Sequence, residues 1–160
     1  MVDVRNTRAE LVRLAQLMVM DGARISAAFA AEHGLHQTDV DALVRVMIAE
    51  ERGTPLTPGA LAGELGLTSG AITFVVDRLE RAGHVTRVRD DVDRRKVLLH
   101  HSPTGRALAE EFFAPSGRHT DEAMDQFTDD ELETVRRYLD VTTKGMAAYR
   151  QSLSARDRPA

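Results

Sequence analysis

The chain has 160 residues, 42% apolar and 29% charged, with no cysteine and a formal net charge of −4. That balance is ordinary for a folded globular protein, and the length fits one domain or two small interlocked ones. The missing thiols exclude cysteine-ligated metal sites, disulfide frameworks and thiol redox sensing. No apolar run approaches ~20 residues, and the richest N-terminal stretch, residues 11–20, is broken by Arg13 and Gln16, so neither a membrane span nor a signal peptide is expected and the cytoplasm is the expected compartment.

From about Thr7 to Ala31, Leu11, Leu14, Met18, Ile25 and Phe29 fall on one stripe of a long helix, which Gly34 ends. A second helix is expected from Thr38 to Glu51, with Val40, Leu43, Val44 and Met47 on one face and Gly53 beyond its end. Thr57-Pro58 is a helix start, because threonine caps free N–H groups and proline is tolerated at the first helical position. Leu61, Ala62 and Leu65 face inward from it, and Gly66 stops it. Thr68 then caps another helix, with Ile72, Val75, Val76 and Leu79 inward and Gly83 at its close. Two short helices joined by a tight glycine turn form a helix-turn-helix pattern.

After Gly83 the period shortens. The residues from His84 to Arg89 alternate, Asp90 to Arg95 form a charged turn, and Lys96 to His100 read as a return strand. A helix-turn-helix followed by such a hairpin is a winged helix. Ser102-Pro103-Thr104-Gly105 marks the next boundary, and Leu108 and Phe112 share a helix face beyond it. Pro115-Ser116-Gly117 is expected to kink or interrupt this helix. Thr128 and Glu131 then make a capping box, with Phe127 and Leu132 as its hydrophobic staple. The last helix carries Leu132, Val135, Leu139, Met146, Tyr149 and Leu153 along one side. The long apolar terminal helices have no partner in so small a core, which predicts a two-fold homodimer. The expected fold is therefore mainly α with a small β-hairpin wing. A winged helix-turn-helix DNA-binding domain at 35–102 sits within a helical dimerisation region at 1–34 and 103–160.

Charge is uneven along the chain. Residues 68–106 hold eight basic and five acidic side chains, a net of +3, which leaves −7 elsewhere. That asymmetry fits a DNA-facing lobe on an acidic body. On one helix face lie Gly70, Thr73, Phe74, Asp77, Arg78 and Arg81, opposite the apolar stripe, with Thr68 and Ser69 at the helix start. Ser69, Gly70, Thr73 and Phe74 are expected to face base edges, and Thr68 to cap the helix or touch a phosphate. Phe74 would meet thymine methyl groups, or else pack as an isolated exposed ring. Arg94, Arg95 and Lys96 at the hairpin tip are expected to meet DNA, with Asp93 orienting an arginine or tightening the turn. Arg78 either joins them or pairs with Asp77, Glu80 or the wing.

Residues 61–85, which include Val76-Asp77-Arg78-Leu79-Glu80 and then Gly83, resemble the core of the MarR (multiple antibiotic resistance regulator) family. So do Asp93-Arg94-Arg95-Lys96 and Ser102-Pro103-Thr104-Gly105-Arg106, and the likeness spans nearly the whole chain. The resemblance implies a homodimeric transcriptional regulator on double-stranded DNA, with one helix per subunit in the major groove and the wing in the minor groove. It implies a pseudo-palindromic operator, repression more often than activation, and release by a small aromatic or anionic effector. It puts the minor-groove arginine at Arg95. A polar or basic residue is common in the family where this chain has Phe74.

An effector pocket is expected between the first two helices and the fifth, lined by Phe29, His33, His36 and Phe112. Gly34 and Leu35 separate His33 from His36, and strand alternation sends His100 and His101 to opposite faces, so no metal site is expected. No catalytic constellation or cofactor motif is present, so an enzyme is not expected. The alternative reading is a winged-helix protein-interaction module without sequence-specific DNA binding, which Phe74 favours and the basic wing opposes.

Overall fold

A computed structural model describes residues 4–156. Eight elements follow in order: α1 (Val4–Glu32), α2 (Gln37–Glu51), α3 (Pro58–Leu65), α4 (Ser69–Arg81), β1 (Val85–Arg89), β2 (Val97–His101), α5 (Pro103–Met124) and α6 (Asp129–Arg156). Two compact units divide the chain, Met1–Ala109 and Glu110–Ala160, with the boundary inside α5. Among the described residues no single helix is long and apolar enough to cross a membrane.

The first unit is built on local signals. The Thr57 hydroxyl accepts the Ala60 N–H at 3.2 Å, with Pro58 at the first helical position, so α3 starts there. Gly66 ends α3 at φ 67°, a left-handed conformation that costs glycine nothing. Two residues on, Thr68 caps α4 by accepting the Ala71 N–H at 3.3 Å. The short turn sets α3 and α4 at a bend of 112°, as in a helix-turn-helix. Leu61 from α3 and Ile72, Val76 and Leu79 from α4 converge on Val46 of α2, Val85 of β1 and Leu99 of β2. Each such aliphatic side chain, fully removed from water, contributes roughly 1.5–3 kcal/mol. On α2 the buried stripe includes Val46 and Ala49, while Val44 and Met47 of the expected face are half-buried.

β1 and β2 pair antiparallel, with Val85 opposite His101 and Arg89 opposite Val97. The Leu99 N–H also donates to the Leu56 carbonyl at 2.8 Å, which ties the segment before α3 to the sheet. The hairpin tip closes on its own acids: Asp93 accepts the Arg95 N–H and Asp90 accepts the Val92 N–H, both at 3.1 Å.

In the second unit the Thr128 N–H donates to Glu131 at 2.9 Å and the Glu131 N–H donates to the Thr128 hydroxyl at 3.4 Å, which completes the expected capping box. Phe127 and Leu132 line one apolar groove of about 600 Å³, with Met124, Val135 and Leu139. The expected interruption at Pro115 does not occur, since α5 runs unbroken through it. Proline deletes one N–H donor but fixes a φ that helices accept. Neighbouring hydroxyls add bonds along the same stretch: Ser116 donates to the Phe113 carbonyl at 3.1 Å and Thr120 to that of Ser116 at 2.9 Å.

Candidate nucleic-acid interface

The outward face of α4 is open. Ser69, Gly70, Thr73 and Phe74 are all exposed, and Phe74 keeps 61% of its surface accessible. The Thr73 hydroxyl donates to the Ser69 carbonyl at 2.8 Å, which leaves its methyl group and the hydroxyl lone pairs to face outward contacts. Thr68 is the cap, so its oxygen is engaged with the helix.

Arg78 does not pair with Asp77, Glu80 or the wing. Its Nε lies 3.0 Å from both oxygens of Asp39, and its Nη2 lies 2.6 Å from Oδ1. Asp39, on the first turn of α2, is only 1% exposed, and it also accepts the His36 N–H at 3.0 Å. A bidentate pair this buried is costly to break from one side, about 3–5 kcal/mol, because the surviving charge is stranded. The carboxylates nearer in sequence belong instead to Arg87 of β1, which donates to Asp77 at 2.6 Å and to Glu80. Burial lowers the Arg87 pKa, but these two acids outweigh it and raise the value. The wing root is thereby bolted to α4.

At the wing tip the Arg94, Arg95 and Lys96 side chains are exposed and make no ion pair among the described residues. Asp93 tightens the turn through the Arg95 backbone and does not hold a guanidinium. An open helix face and an adjoining hairpin whose three cations are held in no ion pair are the two parts a winged helix presents to duplex DNA.

A MarR family model matches residues 42–97. The chain is 35% identical to the uncharacterized HTH-type transcriptional regulator YcgE of Bacillus subtilis (strain 168), over 86% of this chain and 90% of that protein. The chain belongs to the MarR family. A MarR family protein from Bacillus stearothermophilus matches the fold at a TM-score of 0.61 and 25% identity, covering 91% of this chain and 99% of that one. The fold also matches a point mutant of S. aureus MepR bound to an oligodeoxyribonucleotide, at a TM-score of 0.53 and 18% identity over 87% and 97% of the two chains. As a MarR-family member the chain is a DNA-binding transcriptional regulator with a winged helix-turn-helix.

The residues expected to line an effector pocket in this MarR regulator are placed as follows. Phe29 near the end of α1 and His33 just past it hold their rings tilted against each other, with centroids 4.2 Å apart. His36 is exposed at the start of α2. Phe112 lies in the second unit, edge-on to Phe113 at 4.7 Å.

Two constellations were missed by sequence reasoning. Glu50, at the end of α2, takes the Nδ1 atoms of both His100 (2.8 Å) and His101 (3.0 Å) on its two oxygens. Opposite strand faces therefore do not keep the two rings apart, because the long Glu50 side chain straddles the strand. Burial pushes the Glu50 carboxyl up, but the bonds from His101 and His100 outweigh it and hold it below the usual value. Among the described residues no group of three such side chains is placed to hold a metal ion. The second constellation is Ser102, whose hydroxyl donates to the Gly83 carbonyl and accepts the Gly105 N–H at 3.0 Å, while its own N–H donates to the His84 carbonyl at 3.1 Å. Only the Ser-Pro-Thr-Gly run hinted at it.

Proposed function

We propose that this protein is a homodimeric repressor that reads a pseudo-palindromic operator. Ser69, Gly70, Thr73 and Phe74 of α4 meet base edges in the major groove, Thr68 lies at the phosphate end of the helix, and Arg95 enters the minor groove with Arg94 and Lys96 beside it. The observation that carries the reading is the pairing pattern of the arginines: Arg78 and Arg87 are consumed internally, whereas the wing-tip cations are not. An arginine suits a narrow minor groove because its guanidinium is weakly hydrated and finds concentrated negative potential there.

Dimerisation through the region 1–34 and 103–160 is supported by apolar exposure. Leu11, Leu14, Met18 and Ile25 of α1, and Leu139, Met146 and Tyr149 of α6, are all exposed in the single chain. Surfaces of that kind mark association sites. A small aromatic or anionic effector that weakens DNA binding would be taken by the Phe29–His33 pair, which offers an aromatic face beside a titratable ring.

The test is an anisotropy titration against the DNA flanking the protein's own gene, with excess nonspecific competitor. Binding that survives competitor, with a footprint of two half-sites about one helical turn apart, is expected. No binding to any duplex would favour a protein-interaction module with exposed Phe74 at its centre.

A further inference from the structure

Phe74 is a large apolar ring on an exposed helix face, yet it is not isolated. One helical turn on, the Arg78 guanidinium carbon lies 5.1 Å from the centre of its ring, within cation–π range. Arg78 in turn has no freedom to leave, since its Nε and Nη2 edge is bound to Asp39 by bonds of 2.6–3.0 Å. Asp39 lies on a different helix and is almost wholly buried, so no ligand on the α4 surface can touch it.

We propose that Asp39 is a positioning residue for base recognition: through Arg78 it fixes the Phe74 ring as a reader of C5-methyl groups on major-groove pyrimidines. The inference rests on α4 being the recognition helix. A phenyl ring has no hydrogen-bonding group with which to tell bases apart. The apolar mark that the major groove presents is the thymine methyl. An unconstrained exposed ring would lose rotamer freedom on contact, whereas one already held under a fixed guanidinium loses less. Because the contact is to the methyl group and not to the base edge, a 5-methylcytosine at the same place satisfies it as thymine does.

The test begins with a duplex that the wild-type protein selects from a random-sequence pool. Each thymine in one half-site is then replaced by uracil, and the ratio of affinities for the two duplexes is measured within each protein. Wild type should lose about fourfold at the faced thymine, the usual effect of one buried methyl, and 5-methylcytosine there should outbind cytosine by a similar ratio. The double variant Asp39→Asn/Arg78→Gln removes both charges together, so neither is stranded. Its ratio at that position should fall close to one. Arg78→Lys keeps the charge but loses the two-nitrogen hold on Asp39 that fixes the group beside the ring, and it should behave alike even if the double variant does not fold. A general loss of affinity or stability leaves the ratio unmoved.

If both variants keep the fourfold ratio, the positioning role of Asp39 is refuted while Phe74 remains a methyl reader. If uracil costs wild type nothing at any position, the Phe74 contact and this inference fall together. A pool that yields no enriched sequence would instead sink the regulator reading on which both stand.

Discussion

Gly105→Ala should destabilise the first unit through one atom. A Cβ at this position would lie 1.9 Å from the His84 carbonyl oxygen, 2.7 Å from its carbon and 3.0 Å from its Cα. All three are backbone atoms and cannot rotate aside. Ordinary C···O contact needs about 3.3 Å, so the start of α5 must back away by roughly 1.4 Å. That movement breaks the Ser102 clasp on Gly83 and His84. Two hydrogen bonds at about 1 kcal/mol each and overpacking at about 1–3 kcal/mol give a loss of about 3–5 kcal/mol. The opposing term is the helix preference of alanine over glycine, about 1 kcal/mol, so the clash wins. At this chain length 1 kcal/mol moves Tm by roughly 2–4 °C, so a fall of about 10 °C is expected. Melts followed by circular dichroism, at one fixed protein concentration because assembly shifts Tm, would measure it. An unchanged or raised Tm would show that helix propensity governs this position and refute the clasp.

Three further outcomes are expected. Arg95→Ala should weaken operator binding by about 1–3 kcal/mol in an anisotropy titration, and an unchanged affinity would remove Arg95 from the minor groove. Burial lowers the His84 pKa below 6.5, helped by His101 and His33 and opposed by Asp39. The unfolded chain then takes up more protons just below pH 6.5, so stability is complete above that pH and declines as pH falls through the window beneath it. The Glu50 contribution is present above pH 4.5 and is lost as pH falls through its depressed folded value. Urea midpoints should therefore drop between pH 7.5 and 5.5, less so in His84→Gln, and an equal drop in both proteins would absolve His84. Finally, Met146→Asp with Tyr149→Asp alters side chains 67% and 61% exposed in the single chain, so helicity should persist while sedimentation reports a monomer. A particle of unchanged dimer mass would place the interface elsewhere.

What the sequence disclosed is what short-range chemistry decides. The Thr57, Thr68 and Thr128 caps and the Gly66 stop are each settled within about five residues, and each is found where expected. The winged helix followed because its period changes beside those stops. Hidden features were of two kinds. Asp39–Arg78 spans 39 positions and Glu50–His101 spans 51, so nothing local marks either pair. Arg78 has acidic neighbours at 77 and 80, which made the near partners look sufficient until Arg87 was seen to occupy both. Pro115 misleads in the opposite sense as regards interruption: a strong local breaker does not end the helix, whose hydroxyls bond back to the backbone along the same stretch.

The same pairings resolve how an acidic chain can present a DNA-binding surface. Asp77 and Glu80 stand on the C-terminal half of α4 and Asp39 is bound to it through Arg78, and each of the three faces an arginine. Left bare, Asp77 and Glu80 would repel phosphate beside the proposed reading face. Neutralised, they serve to hold α4 to α2 and to β1, and Ser102 adds a third tie just past the helix end. All three ties fall between residues 77 and 84 or on their partners. The N-terminal part of α4, with Ser69, Gly70 and Thr73, carries no charge at all, and Arg94, Arg95 and Lys96 at the wing tip pair with none of the described acids. Net charge is therefore a poor guide for this chain: Asp39, Asp77 and Glu80 are already paired, so what they take from the potential of the proposed interface is small, and Arg81, Arg89, Arg94, Arg95 and Lys96 face only Asp90, Asp91 and Asp93 of the hairpin tip. The tie through Arg87 also fixes the wing root against α4, so the place from which the hairpin leaves the recognition helix is a property of the fold and not of the DNA.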